Sequence, residues 1–222
     1  FDIFKSNKRL LLFLIEEKIM NMDEQVVKQI ITREYEQNKY PQYFAPEILP
    51  FADIYWFPKS NKNFFSALGI SIDIATSWID EIKTDLPPNF FENREKGEND
   101  SYICKLIRED SIDEFIEYVN KSNISLESTI NQSIYETNAF LIQKQNEYII
   151  LRFNQSNSNS SITLMEYAAF FGSIQIFQYL KINGVEMNQE LWLYSIHGKN
   201  AEIIHLLEER HIEPTIADVN SY

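Results

Sequence analysis

Three histidines and one cysteine are the residues of this chain best suited to chemistry, and their spacing limits what they can do. His197, His205 and His211 never stand four positions apart, the spacing that puts two imidazoles on one helical face. With Cys104 the sole thiol, no metal site is expected. Ser195 lies two positions before His197. On one helix these side chains point about 200° apart, out of hydrogen-bond reach, so a nucleophile–base pair is not expected either. The glycines at 69, 97, 172, 184 and 198 are isolated and compose no phosphate-binding loop. Glu16-Glu17 and Glu208-Glu209 read as solvated helix exits. No catalytic residue, cofactor site or metal site emerges.

Composition narrows the classes of partner. The chain has 222 residues, 44% of them hydrophobic, enough for a packed core. Its net charge of −13 argues against nucleic acid and against an anionic membrane surface, both of which call for a basic face. The longest apolar run, Leu10 to Ile15, is too short to span a bilayer, and no signal-peptide cleavage site follows it. A single cysteine, read as a small buried hydrophobe, leans towards a reducing compartment, so a cytoplasmic location is expected. The chain begins at Phe1 and its first methionine is Met20, which predicts an excerpt or a processed piece.

Apolar periodicity predicts helices along most of the chain. Residues 9–20 read as one helix, and Asp23 as the N-cap of a second carrying Val26, Val27, Ile30 and Ile31, closed by Pro41. The aromatic and proline-rich stretch 41–58 reads as irregular, with a short helix near Glu47–Phe51. These make residues 1–58 an N-terminal helical module. Residues 59–100 read as an insertion or linker; 68–74 alternate as a strand does, with a broken helix as the competing reading, and Pro87-Pro88 with the charged run Glu92–Asp100 mark a linker or exposed loop.

Residues 101–222 carry three similar helix pairs, at about 101–126, 163–188 and 190–214. An offset of 61 sets Asn123 on Gly184, Val119 on Leu180 and Phe115 on Ile176; an offset of 27 sets Leu180 on Leu207 and Ile176 on Ile203. Asn and Gly suit a left-handed helix stop, since both tolerate positive φ. Between the first two pairs lie a helix predicted around Ile134–Gln145 and a polar loop near 147–161.

The second pair, Thr163 through Val185, resembles an ankyrin repeat: a helix with Ala168-Ala169, a turn at Gly172, a second amphipathic helix and a stop at Asn183-Gly184. The segments Tyr40-Pro-Gln-Tyr-Phe-Ala-Pro-Glu47, Leu164-Met-Glu-Tyr-Ala-Ala-Phe-Phe-Gly-Ser173 and Leu191-Trp-Leu-Tyr-Ser-Ile-His-Gly198 are similar to a protist, trichomonad-type family of ankyrin-like domains of unknown function. The likeness spans most of residues 9–58 and 89–215. Departures from the ankyrin pattern are Leu164 and Glu166 in place of its proline and histidine, and a 27-residue offset against a norm of about 33.

The resemblance implies an all-α, divergent ankyrin-like solenoid with short or missing β-hairpin fingers. It also implies a concave binding face lined by the two residues after the Ala-Ala position. These are Phe170 and Phe171 in the second pair, His197 and Gly198 in the third, and Glu109 and Asp110 in the first. Each phenylalanine has an alternative place in the helix–helix core. The function implied is a non-enzymatic protein–protein interaction module whose partner the sequence does not name. One alternative is a structural unit stacking with further repeats or copies, which would form concentration-dependent oligomers. Another is an enzyme built on residues 59–100, which would show a deep pocket of convergent titratable groups.

Overall fold

The structure, a computed structural model, describes residues 7–32, 40–55, 86–143 and 161–214. Among them the secondary structure is helical, with no strand and one isolated antiparallel bridge, between Thr129 and Thr163. The expected all-α class holds to that extent. No helix among the described residues is long and apolar enough to cross a membrane. In chain order the helices are α1 (Lys8–Glu16), α2 (Glu24–Thr32), α3 (Tyr40–Tyr43), α4 (Ala45–Tyr55), α5 (Phe90–Lys96) and α6 (Tyr102–Arg108). They continue as α7 (Ile112–Lys121), α8 (Ala139–Gln143), α9 (Leu164–Phe171), α10 (Ile174–Ile182), α11 (Leu191–Gly198) and α12 (Ala201–Glu209).

The described residues divide into two compact units. One takes the chain through Asn99 and recovers it from Gln132; the other takes Asp100–Asn131 and the C-terminal helices.

In the first unit, Asn7 caps α1 by accepting from the Leu10 amide at 2.9 Å, and Asp23 caps α2 by accepting from the Val26 amide at 2.9 Å. Leu11, Val27, Ile30, Phe44 and Ile48 supply the core. Arg94 of α5 is buried, and its guanidinium donates to both Glu47 oxygens (2.9 and 2.8 Å) and to the Tyr43 carbonyl (3.3 Å). Burying that charge requires such partners, because an unpaired cation would lose its hydration uncompensated. Burial also pushes the Tyr43 phenol up to about 12, against the pull of Arg94. The segment expected as a charged loop, Glu92–Asp100, instead begins as α5, whose Phe90 and Arg94 face the core. The helix expected around Ile134–Gln145 starts only at Ala139. The alternating stretch 68–74 lies outside the described residues.

The second unit contains three helix pairs, α6/α7, α9/α10 and α11/α12. Helix α9 packs against α6 and α11, and α10 packs against α7 and α12. Every pair turns through a left-handed residue after its first helix: Asp110 (φ 48°), Gly172 (70°) and Lys199 (53°). Each ends on another: Asn123 (52°), Gly184 (85°) and His211 (54°). The helix ends at Gly184, Asn123 and His211 share one hydrogen-bond pattern. The residue after the stop donates back across the last turn, as Val185 does to Leu180, Ile124 to Val119 and Ile212 to Leu207.

Candidate interaction surface

Helix α9 starts at Thr163, whose hydroxyl accepts from the Glu166 amide while the Glu166 carboxylate accepts from the Thr163 amide at 2.8 Å. This reciprocal cap gives Glu166 its place in the first turn of α9. Helix α9 is buried almost throughout, because α10 and the flanking α6 and α11 all pack on it. The approach to α11 is close enough to require glycine. A Cβ on Gly198 would fall on the Ala169 carbonyl oxygen, and would stand 3.0 Å from the Gly172 nitrogen and 3.1 Å from the Phe170 oxygen.

Aromatic and cationic groups then run across the three first helices. The Arg108 guanidinium donates to the Tyr167 hydroxyl at 2.8 Å and stands 6.0 Å from the Phe171 ring centre. Phe171 packs on Tyr167 (4.7 Å) and on Phe170 (5.0 Å). Phe170 is stacked on the His197 imidazole, centres 4.2 Å apart and planes 21° apart. Phe170 is only 5% exposed, so its ring is part of the packing between α9 and α11. Phe171 is half-buried and His197 is exposed.

The two candidates from the first pair have other surroundings. Glu109 is exposed, 3.9 Å from Lys105 one turn before it. Asp110 caps α10: its carboxylate accepts from the amides of Gln175 and Ile176, each at 3.0 Å. The register explains the difference. The stops are related by 61, but the first helices are related by 62, since Asp110 is the counterpart of Gly172 and Ser111 of Ser173. Helix α7 is one residue longer than α10, Ile112–Lys121 against Ile174–Ile182. Phe170 and Phe171 therefore match Arg108 and Glu109, and the expected pairings of Phe170 with Glu109 and of Phe171 with Asp110 are both corrected by one residue. Arg108 and Tyr167 were not singled out in the sequence; an alignment of the turns rather than the stops would have found Arg108.

Ser195 is buried, and its hydroxyl donates to the Leu191 carbonyl at 2.7 Å, one turn back. The Tyr194 phenol is pushed up by burial, with Glu166 and Glu190 adding to the effect. Cys104 is buried, as read from the sequence. Trp192 is half-buried and donates to the Ile212 carbonyl at 2.6 Å. His205 lies 2.9 Å from Glu208 on the same exposed helix face. Among the described residues no group of three or more His, Cys, Asp or Glu could hold a metal ion.

No family model, curated protein or solved structure matches the chain. The surface must therefore be read from its own geometry. A half-exposed phenyl ring, an exposed imidazole and a guanidinium held in place by a phenol form a semi-rigid strip. Rings and guanidinium planes of this kind bind by stacking and by cation–π contact.

Proposed function

We propose that the C-terminal unit is a divergent ankyrin-like solenoid and that the chain is a non-enzymatic protein–protein interaction module, working in the cytoplasm. The observation that carries this reading is the row Arg108, Tyr167, Phe171, Phe170 and His197, which crosses the first helices of the three pairs. Aromatic residues and arginine dominate binding energy at interfaces. The row is backed by glycine-mediated helix contact and by the Asp110 cap, so little of it would need ordering on binding. Repeated left-handed turns at matching positions support the repeat reading. Phe171 and His197 are the contact residues, with Arg108 orienting at one end and Glu109 beside it; Phe170 and Asp110 act by holding the strip.

The test is capture of partners by the chain and by its Phe171→Ala/His197→Ala variant, identified by mass spectrometry. A protein held by the native chain and lost by the folded variant is the expected result. Equal capture by both would remove this strip from the function. Concentration-dependent self-association, abolished by the same variant, would favour the assembly reading.

A further inference from the structure

The segment 132–138 is held in the first unit in an unusual manner. It is neither helix nor strand, and its contacts are with residues distant in sequence. Lys8, buried at the start of α1, donates through Nζ to the carbonyls of Ile134 (3.1 Å) and Glu136 (3.4 Å). At the end of α5, the Gly97 carbonyl accepts from both the amide (3.0 Å) and the hydroxyl (2.9 Å) of Thr137. The Tyr135 ring is buried edge-on against Phe90, centres 5.6 Å apart. Gly97 is itself left-handed (φ 67°), and a Cβ there would stand 2.6 Å from the Thr137 hydroxyl.

Within the segment, side chains fold the backbone locally. Ser133 accepts from the Tyr135 amide (3.1 Å), Glu136 from the Asn138 amide (2.9 Å) and Asn138 from the Phe140 amide (3.0 Å). The receiving surface thus reads main-chain groups with a lysine and a carbonyl, and gives one aromatic side chain a slot. That division of labour is how grooves recognise non-helical peptides.

We propose that α1 and α5, with Gly97 at its end, form a peptide-binding groove that accepts an Ile-Tyr-Glu-Thr segment, and that the chain's own residues 134–137 occupy it. Lys8 is the backbone-reading residue, Phe90 the wall of the tyrosine slot and Gly97 the acceptor for the threonine. The occupant is tethered, so it competes at an effective concentration of about millimolar, and an added peptide at micromolar concentration meets a filled groove.

The experiment uses the full chain and a fluorescent peptide of residues 131–139, read by anisotropy. In the Tyr135→Ala/Thr137→Ala chain the tethered segment loses both anchors. This chain should bind the intact peptide at least about tenfold more tightly than the native chain does. Adding Lys8→Met to the same variant should abolish that binding. Equal affinity for native and variant chains, or no binding to a variant that keeps its helical circular dichroism, overturns the proposal. Should that variant fail to fold, hydrogen exchange on the native chain decides. Exchange of the Tyr135 and Thr137 amides ahead of the α5 amides supports a dockable segment; exchange of both at one common rate overturns it.

Discussion

Replacing Gly198 by alanine sets two physical effects of opposite sign against each other. Helix propensity alone makes Gly198→Ala stabilising, by up to about 1 kcal/mol. The contact between α9 and α11 makes it destabilising, because the new methyl has backbone on its nearest sides: the Ala169 and Phe170 carbonyl oxygens and the Gly172 nitrogen. No flexible side-chain tip is there to yield, so the helices must separate. Overpacking costs about 1–3 kcal/mol, and a methyl driven this far into backbone belongs at the upper end, about 3 kcal/mol, leaving a net loss of about 2 kcal/mol after the propensity gain. In a chain of this size each kcal/mol lowers the melting temperature by about 2–4 °C. Gly184→Ala is the control: nothing lies within 4 Å of its Cβ position, and only its left-handed φ of 85° opposes alanine. It should cost about 1 kcal/mol without disturbing the contacts of α9. Urea unfolding followed by circular dichroism measures both variants. A Gly198→Ala chain as stable as the native one, or more stable, would refute the close packing of α9 on α11.

Three further predictions follow from single side chains. Asp110→Ala removes the carboxylate that caps α10, so stability should fall by about 1–2 kcal/mol and the Ile176 amide should exchange faster; unchanged exchange would rule out the cap. Phe170→Ala should destabilise by about 3–5 kcal/mol and Phe171→Ala by clearly less, because only Phe170 is fully enclosed; equal losses in thermal unfolding would contradict that split. Burial raises the Tyr43 phenol from 10.0 to about 12, so the folded state favours the neutral form. The native chain should therefore keep its full stability below about pH 9 and lose about 1 kcal/mol relative to Tyr43→Phe by about pH 11. Parallel urea profiles for the two proteins across that range would exclude the effect.

The helix pairs of the second unit were legible because their signals are local. Apolar spacing marks the buried stripe, and Asn123 and Gly184 announce the stops that the structure confirms by their positive φ. His211 occupies the same kind of stop with a residue that carries no such signal, and only its spacing from Gly184 gives it away. The one-residue slip between α7 and α10 was invisible for a related reason. Phe115 can be matched with Ile176 or with Phe177, and both of those are fully buried. In the candidate strip, Phe171 and His197 are residues that the sequence places after the Ala-Ala position, and the structure shows their rings beside Phe170. Arg108 was not legible, because its role depends on a phenol from another helix.

The first unit was harder to read because polar groups hold it together. A lysine at the first turn of α1 reads as solvent-facing, and nothing in the sequence tells that its ammonium is matched by two carbonyls more than a hundred residues away. Arg94 lies in a charged run that reads as a loop, and its burial is made tolerable by the Glu47 carboxylate and the Tyr43 carbonyl. The return of the chain to this unit at Gln132 follows from such contacts and leaves no periodicity behind.

Packing of successive helix pairs joins Arg108, Phe171 and His197 into one strip. Nuclear Overhauser contacts in a chain with labelled phenylalanine, tyrosine, histidine and arginine test it directly. Cross-peaks between the Phe170 and His197 rings, and between Arg108 and Tyr167, are predicted together. Absence of both from a folded chain with assigned resonances would contradict it.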